Sequence, residues 1–170
     1  MDIIEDDSFL PKDKKQFINK VILGPNFNYF LSEAFTAQKG YVYFSHAALN
    51  SKSNERYSPH YDAISSLFYS FCNKHNIRVK SIHRMNINIT VNINKKECRI
   101  HKDHPWKYKQ LIIYLNDCDP KSYTLIYKNK KIIKIKPKKY KAVCFDHYKH
   151  SFRYPRYGMR AIAVYTFSTY

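Results

Sequence analysis

The stretch SIHRMNINITVNI, residues 81–93, alternates between apolar and polar side chains, with either Arg84 or Met85 on the apolar side near its start. Ile87 and Ile89 fall on one side of an extended chain, and Asn88 and Thr90 fall on the other. Since successive side chains of a β-strand point to opposite faces, this pattern is typical of a strand with one buried face. The stretch therefore predicts a half-buried strand.

Helical patterns come before this strand. Residues 60–76 place Ile64, Leu67 and Phe71 at the spacing that brings side chains to one face of a helix. Residues 9–22 show the same spacing over a shorter length. Both segments are predicted to be amphipathic helices, each packing its apolar face against the rest of the domain.

The rest of the chain contains further short apolar segments separated by turns, and a polar loop is predicted at 51–59. The predicted strands are residues 40–47, 81–93, 109–116, 122–128, 131–137, 141–146 and 159–167. Two helices and about seven closely spaced strands predict an α+β fold with a β-sandwich or barrel core. Since 170 residues without a linker are typical of one domain, we expect a single domain over 1–170.

The charge of the chain and its lack of long apolar runs predict a class of partner and a cellular compartment. The formal net charge of +17 favours polyanions or an acidic partner and says nothing about the fold. The acidic start MDIIEDDSF lacks the basic region of a signal peptide, and no apolar run is long enough to cross a membrane. We therefore expect a cytoplasmic protein whose four cysteines are reduced.

The segment ECRIHKDHPW, residues 97–106, contains three candidate metal ligands close together. If a strand continues through it, His101 and Asp103 point to one face and His104 points to the other. A histidine nitrogen and a carboxylate oxygen are two of the three ligands of a facial metal site. His150 and His147 are the candidates for the third ligand, and exposed polar residues without a metal are the alternative.

Arg160 lies within the apolar strand predicted at 159–167. Burying a charged side chain is costly unless it has a partner of opposite charge. A guanidinium group fits a carboxylate, so Arg160 indicates either an acidic ligand or an internal salt bridge to an Asp or Glu.

An HxD pair, a second histidine about fifty residues later and an arginine ten residues beyond it resemble the 2-oxoglutarate- and Fe(II)-dependent dioxygenases. DDSFLPKDKKQFINKVI (6–22) resembles the first helix of the prolyl-hydroxylase branch, and KQLIIYLND (109–117) resembles its Tyr-Leu-Asn strand. YTLIYKNKKIIKIKPKKYKAVCFDHYKHS (123–151) is similar to the closing strands of that branch. The upstream segments YVYFSHA and SIHRMNINI are similar to small oxygenases of this kind found in phages.

The resemblance implies a double-stranded β-helix, or jelly roll, supported by two N-terminal helices. It also implies that His101, Asp103 and His150 hold Fe(II) and that Arg160 binds the distal carboxylate of 2-oxoglutarate. Tyr114 would add a hydroxyl group to that carboxylate, although an aromatic residue on an apolar strand is also typical of plain core.

Some positions give alternatives or depart from the family. The resemblance places Asn88 where it would contact the cosubstrate, although it is also one polar residue among several on its strand. The family often has a small hydroxylated residue two positions after the arginine, where this chain has Ile162. Lys121 and Ser122 replace a glycine pair that is usual before the YTLIY strand.

The resemblance further implies an Fe(II)- and 2-oxoglutarate-dependent hydroxylase that consumes O2 and releases succinate and CO2. A protein side chain such as proline is the expected substrate, in the host cytoplasm if the chain is viral. The alternative is a non-catalytic basic β-domain that binds nucleic acid, because residues 128–141 carry eight lysines. Those lysines are equally typical of a solvated edge strand.

Overall fold

A computed structural model describes residues 3–33, 42–49 and 55–170, with only the backbone of Glu33. Helix α1 spans Lys12–Phe17 and continues into a π-helical turn at Ile18–Ile22, and helix α2 spans Tyr61–Lys74. Both helix predictions are confirmed. No helix among the described residues is long and apolar enough to cross a membrane.

The described residues form ten strands, and the seven predicted strands are among them with shifted ends. Residues 40–41 of one predicted strand and 51–54 of the predicted loop lie outside the described residues. The strands are β1 Ile4–Asp6, β2 Phe30–Glu33, β3 Val42–Leu49, β4 Val79–Val91, β5 Lys109–Tyr114, β6 Thr124–Lys128, β7 Lys131–Ile135, β8 Ala142–Asp146, β9 Lys149–Phe152 and β10 Met159–Thr169. The three unpredicted strands, β1, β2 and β9, have three or four residues each, too few for a readable alternation.

The strands form two antiparallel sheets. The larger sheet has the order β1-β8-β5-β10-β4-β3-β2, and the smaller has the order β7-β6-β9. The segment before His101 runs along the free edge of β9, because Cys98 N–H donates to Phe152 O over 2.8 Å. His101 and His150 exchange both backbone hydrogen bonds, over 3.0 and 2.9 Å. The smaller sheet is therefore extended by the segment that carries the HxD pair.

Both faces of the larger sheet are buried, because successive side chains of its strands point to opposite sides and pack in two different clusters. On β10, Ala163 and Tyr165 face the helices, where Phe68 and Phe71 of α2 belong to the same apolar cluster. Val164 of the same strand points to the other face and packs with apolar residues of both sheets. A β-sandwich covered on one side by the helices is therefore confirmed, and its interior holds the candidate site.

Candidate metal centre

His101, Asp103 and His150 lie around one point in the cavity between the two sheets. Their ligand atoms are all within 4.8 Å of one another. His101 Nε2 is 3.4 Å and His150 Nε2 is 3.9 Å from the same oxygen, Asp103 Oδ1. The structure therefore brings together the three residues that the sequence suggested as metal ligands.

The other ring nitrogen of each histidine is turned toward the backbone. His101 Nδ1 is 2.8 Å from Arg99 O, and His150 Nδ1 is 3.3 Å from Tyr148 O. Since a carbonyl oxygen only accepts, each Nδ1 carries a proton, so that in the neutral ring Nε2 is the nitrogen with the lone pair. This arrangement orients metal-binding histidines and fixes their tautomer.

The local structure differs between the ligands. His150 is the second residue of strand β9. Asp103 follows the end of the strand segment and sits in a bend rather than in a strand. The hydroxyl group of Tyr108 accepts the backbone N–H of Asp103 over 2.8 Å, which holds this bend in place.

Burial and neighbouring charges shift the pKa values of the three groups in different directions. Burial alone would raise the pKa of Asp103, but Arg84 and the two histidines hold that pKa well below its ordinary value. Burial lowers the pKa of His150 to about 4, against the attraction of Asp103. Burial also acts to lower the pKa of His101, but its bond to Asp103 outweighs burial, so this pKa is raised.

Arg84 is a site residue that sequence reasoning did not single out. Its Nη1 lies 3.5 Å from Asp103 Oδ2, on the side of the carboxylate away from the histidines. The strand alternation left open whether residue 84 or 85 faces the apolar side. In the structure Met85 takes the core face, so Arg84 points into the sandwich toward the site.

Arg160 lies at the other end of the same cavity. Its side chain is 1% exposed, and its Nη2 donates to the hydroxyl oxygen of Thr124 over 2.9 Å. Its Nε and Nη1 are buried and have no hydrogen-bond partner among the described residues. Within that same part of the chain, no carboxylate pairs with Arg160, which disfavours the internal salt bridge as an explanation.

Tyr114 and Asn88, the two other residues predicted to contact the cosubstrate, have different surroundings. Tyr114 is fully buried, its hydroxyl group is 2.6 Å from that of Thr124, and its ring is 5.4 Å from the guanidinium carbon. Asn88 lines the cavity, but its amide oxygen accepts a hydrogen bond from Ser45 over 3.0 Å. Ile162, which stands where the family often has a hydroxylated residue, also lines the cavity. A hydroxyl group beside Arg160 is supplied by Thr124 on a facing strand.

His104 and His147 are not part of the histidine–aspartate group. His104 Nε2 is 2.8 Å from the hydroxyl group of Thr166, and its ring stacks on Trp106 with centroids 4.6 Å apart. His147 packs against the ring of Tyr108, at 4.9 Å. Trp106 is 52% exposed, so it stands at the surface just beyond the site.

The donor set fits a divalent transition metal. Two imidazole nitrogens and one carboxylate oxygen form the facial arrangement that suits non-haem Fe(II) and leaves positions open for other ligands. The partnerless nitrogens of Arg160 fit an anion at the far end of the cavity. The arrangement is therefore compatible with a metal ion at one end of the cavity and an anion at the other.

Comparison with known proteins finds similarity in structure but not in sequence. No protein-family model matches the sequence, and no curated protein is recognisably similar to it. The fold is similar to that of a 2OG-Fe(II) oxygenase family oxidoreductase from Burkholderia pseudomallei, with a TM-score of 0.78 at 16% identity over 98% of this chain and 84% of that chain.

Prolyl hydroxylases have the same fold. An enzyme from Trichoplax adhaerens, solved with a hypoxia inducible factor peptide, aligns with a TM-score of 0.67 at 13% identity over 97% of this chain and 82% of that one. A viral collagen prolyl hydroxylase from Paramecium bursaria Chlorella virus-1, solved with 2-oxoglutarate, gives 0.58 at 18% identity over 98% and 94%. The chain therefore has the double-stranded β-helix fold of the 2-oxoglutarate- and iron-dependent oxygenases.

Proposed function

We propose that the chain, as one domain over residues 1–170, is an Fe(II)- and 2-oxoglutarate-dependent dioxygenase. The observation that carries the proposal is the cavity itself, with a His–Asp–His group at one end and, at the other, a buried arginine that has no anionic partner among the described residues. His101, Asp103 and His150 would hold Fe(II), and Arg160 would bind the distal carboxylate of 2-oxoglutarate. O2 is the remaining cosubstrate.

The bound iron would supply the oxidation of 2-oxoglutarate to succinate and CO2, coupled to hydroxylation of the substrate. The protein's own part is to bind, orient and exclude water. Arg84 keeps Asp103 ionised, and the backbone carbonyl groups hold both histidine rings by Nδ1, so that Nε2 of each would be the atom that binds the metal. Ile162 and Val164 line the middle of the cavity and keep it apolar.

Tyr114 and Asn88 have supporting roles in this proposal. The Tyr114 hydroxyl group, linked to Thr124, would help to bind the same carboxylate as Arg160. Asn88 would contact the cosubstrate from the wall of the cavity, after exchanging its hydrogen bond with Ser45. Of the two, Tyr114 is better supported, because it already lies beside the guanidinium group.

The substrate we propose is a protein or peptide side chain such as proline. Two proteins of the same fold support this choice, since one was solved with a peptide and the other is named as a collagen prolyl hydroxylase. The exposed Trp106, next to Pro105, would form part of the rim where a peptide enters.

The test is turnover. Purified protein with Fe(II), O2 and 2-oxoglutarate should form succinate, and a substrate from host lysate should gain the mass of one oxygen atom. Asp103→Ala should do neither, while His147→Ala, which changes a histidine outside the site, should retain both. An inactive wild-type protein that holds iron and 2-oxoglutarate would contradict the proposal.

The basic surface supports a second candidate, a non-catalytic domain that binds nucleic acid. β7 is an edge strand of the smaller sheet, and Lys131 and Lys134 on it are exposed. Such a function would depend on salt and not on the metal ligands.

A further inference from the structure

Gln110 is a buried polar residue that lines the candidate site. It lies on β5, is 2% exposed and pairs with Thr166 of β10. Its side chain lines the same cavity as the histidines and Arg160. Since burying an amide without hydrogen bonds is costly, a glutamine at this position calls for a partner.

The amide of Gln110 is only partly satisfied. Its Nε2 is 3.4 Å from His150 Nε2, and its Oε1 is buried with no hydrogen-bond partner among the described residues. Because the proton of His150 is on Nδ1, the glutamine N–H donates to the lone pair of Nε2. A metal ion on Nε2 would take that lone pair and would leave the N–H group of Gln110 facing the metal's other ligands.

The position of Gln110 along its strand decides which part of a ligand it can reach. Gln110, Ile112 and Tyr114 share the inner face of β5, at about 3.3 Å per residue. Gln110 is thus level with the histidines, while Tyr114 is level with Arg160, about 13 Å further along. Gln110 can therefore contact only the end of the cosubstrate that lies at the metal.

We propose that the side-chain amide of Gln110 donates a hydrogen bond to the α-keto-acid end of 2-oxoglutarate and so positions it at the metal. The inference rests on the proposed function and adds a second anchor to it. Arg160 binds the distal carboxylate, and Gln110 binds the end that coordinates. A hydrogen bond to a charged group is stronger than one between neutral groups, so the loss of this anchor has a measurable effect.

The experiment compares Gln110→Leu and Gln110→Glu with the wild-type protein under anaerobic conditions. Leucine removes the donor, and glutamate replaces it with a negative charge beside an anion. The dissociation constant of 2-oxoglutarate should rise about tenfold or more in Gln110→Leu and further in Gln110→Glu. In Gln110→Leu, Fe(II) affinity in the absence of 2-oxoglutarate should stay within about threefold of wild type. Gln110→Met, unbranched like glutamine, serves if leucine disturbs folding.

A spectroscopic readout separates positioning from a general loss of structure. The visible absorption of the Fe(II)–2-oxoglutarate complex arises at the keto-acid end, so saturated Gln110→Leu should show a shifted band. Saturated Arg160→Lys should show an unshifted band, because residue 160 touches the other end. An unshifted band with wild-type affinity in Gln110→Leu would overturn the inference, as would equal losses of Fe(II) and 2-oxoglutarate affinity. A wild-type protein without any band would overturn the proposed function itself.

Discussion

Arg160 combines full burial with an incomplete set of partners. One nitrogen donates to Thr124, the ring of Phe152 lies 4.9 Å from the guanidinium carbon, and the two other nitrogens have no hydrogen-bond partner within the described residues. An unsatisfied buried donor costs roughly 1–3 kcal/mol, and more when it is charged. The unliganded protein therefore carries a cost at this residue that a bound carboxylate would remove.

Replacing this arginine should separate stability from ligand binding. Arg160→Met should raise the melting temperature of the unliganded protein, because methionine fills the volume without a buried charge. The same variant should lose the stabilisation that 2-oxoglutarate gives to the wild-type protein with Fe(II). Thermal unfolding with and without 2-oxoglutarate measures both effects. A variant that is less stable than wild type without ligand would show that Arg160 is a structural residue.

The sequence predicted some residues of the candidate site better than others. His101, Asp103, His150 and Arg160 stood out because charged or metal-binding side chains occurred in a recognisable order. Gln110 did not stand out, since one polar residue at the start of an apolar strand looks like any exposed strand end. Only the packing of both sheets around the cavity shows that it points inward.

At the scale of elements, two short segments decide how the site is assembled. β9 and the segment before His101 pair with each other, and this pairing brings His101 opposite His150. Neither segment has enough alternating residues for its sequence to predict a strand. Long-range backbone hydrogen bonds form them, and a reading of local pattern cannot detect such bonds.

At the same scale, the loop between β9 and β10 is attached to the segment after β5 by an ion pair. Asp119 is fully buried and accepts hydrogen bonds from Nε and Nη2 of Arg156 over 2.7 and 2.8 Å, and from the Arg156 backbone N–H over 2.9 Å. The Arg156 guanidinium group is the main reason that the pKa of Asp119 lies well below its ordinary value. This bond ties the loop to the turn after β5.

Acid should release this loop. Because the folded-state pKa of Asp119 is below its unfolded value, the stabilisation is complete above about pH 5 and is lost as the pH falls further. Asp119→Asn should lower the free energy of unfolding by about 1–2 kcal/mol at neutral pH, less than a fully buried pair, since the Arg156 side chain is 55% exposed. It should also flatten the loss of stability below pH 5.

Chemical denaturation at several pH values provides the measurement. Asp62→Asn is the matched control, because the Asp62 side chain is 88% exposed and its ion pair with Arg56 lies at the surface, over 3.5 Å. An Asp119→Asn protein that loses no more stability than this control would contradict the role assigned to the bond.

At the scale of the whole molecule, the periodicities indicated a sandwich with helices, but not the order of its strands. Each strand of the larger sheet could bury its apolar side chains in several different strand orders. The actual order follows from which strands fit on both the helix side and the inner side at once. The resemblance to dioxygenases supplied the jelly-roll fold that the periodicities left open.

The charge of the molecule also acts at this scale. With a net charge of +17, the protein should bind duplex DNA or heparin with an affinity that falls as salt rises. Asp103→Ala should not weaken this binding, whereas the double variant Lys131→Ala, Lys134→Ala should lower the salt dependence. Affinity measured by titration at several salt concentrations tests this, and an affinity indifferent to salt would exclude a polyanion-binding surface.

The measurement that bears most directly on the site is an anaerobic titration with Fe(II) and then 2-oxoglutarate, followed by visible absorption. The wild-type protein and His147→Ala should bind one Fe(II) and develop the absorption of a chelated 2-oxoglutarate. Asp103→Ala and His150→Ala should lose it because each removes a ligand. Wild-type protein that binds neither iron nor 2-oxoglutarate, or an Asp103→Ala protein that binds both unchanged, would contradict the assignment of this site.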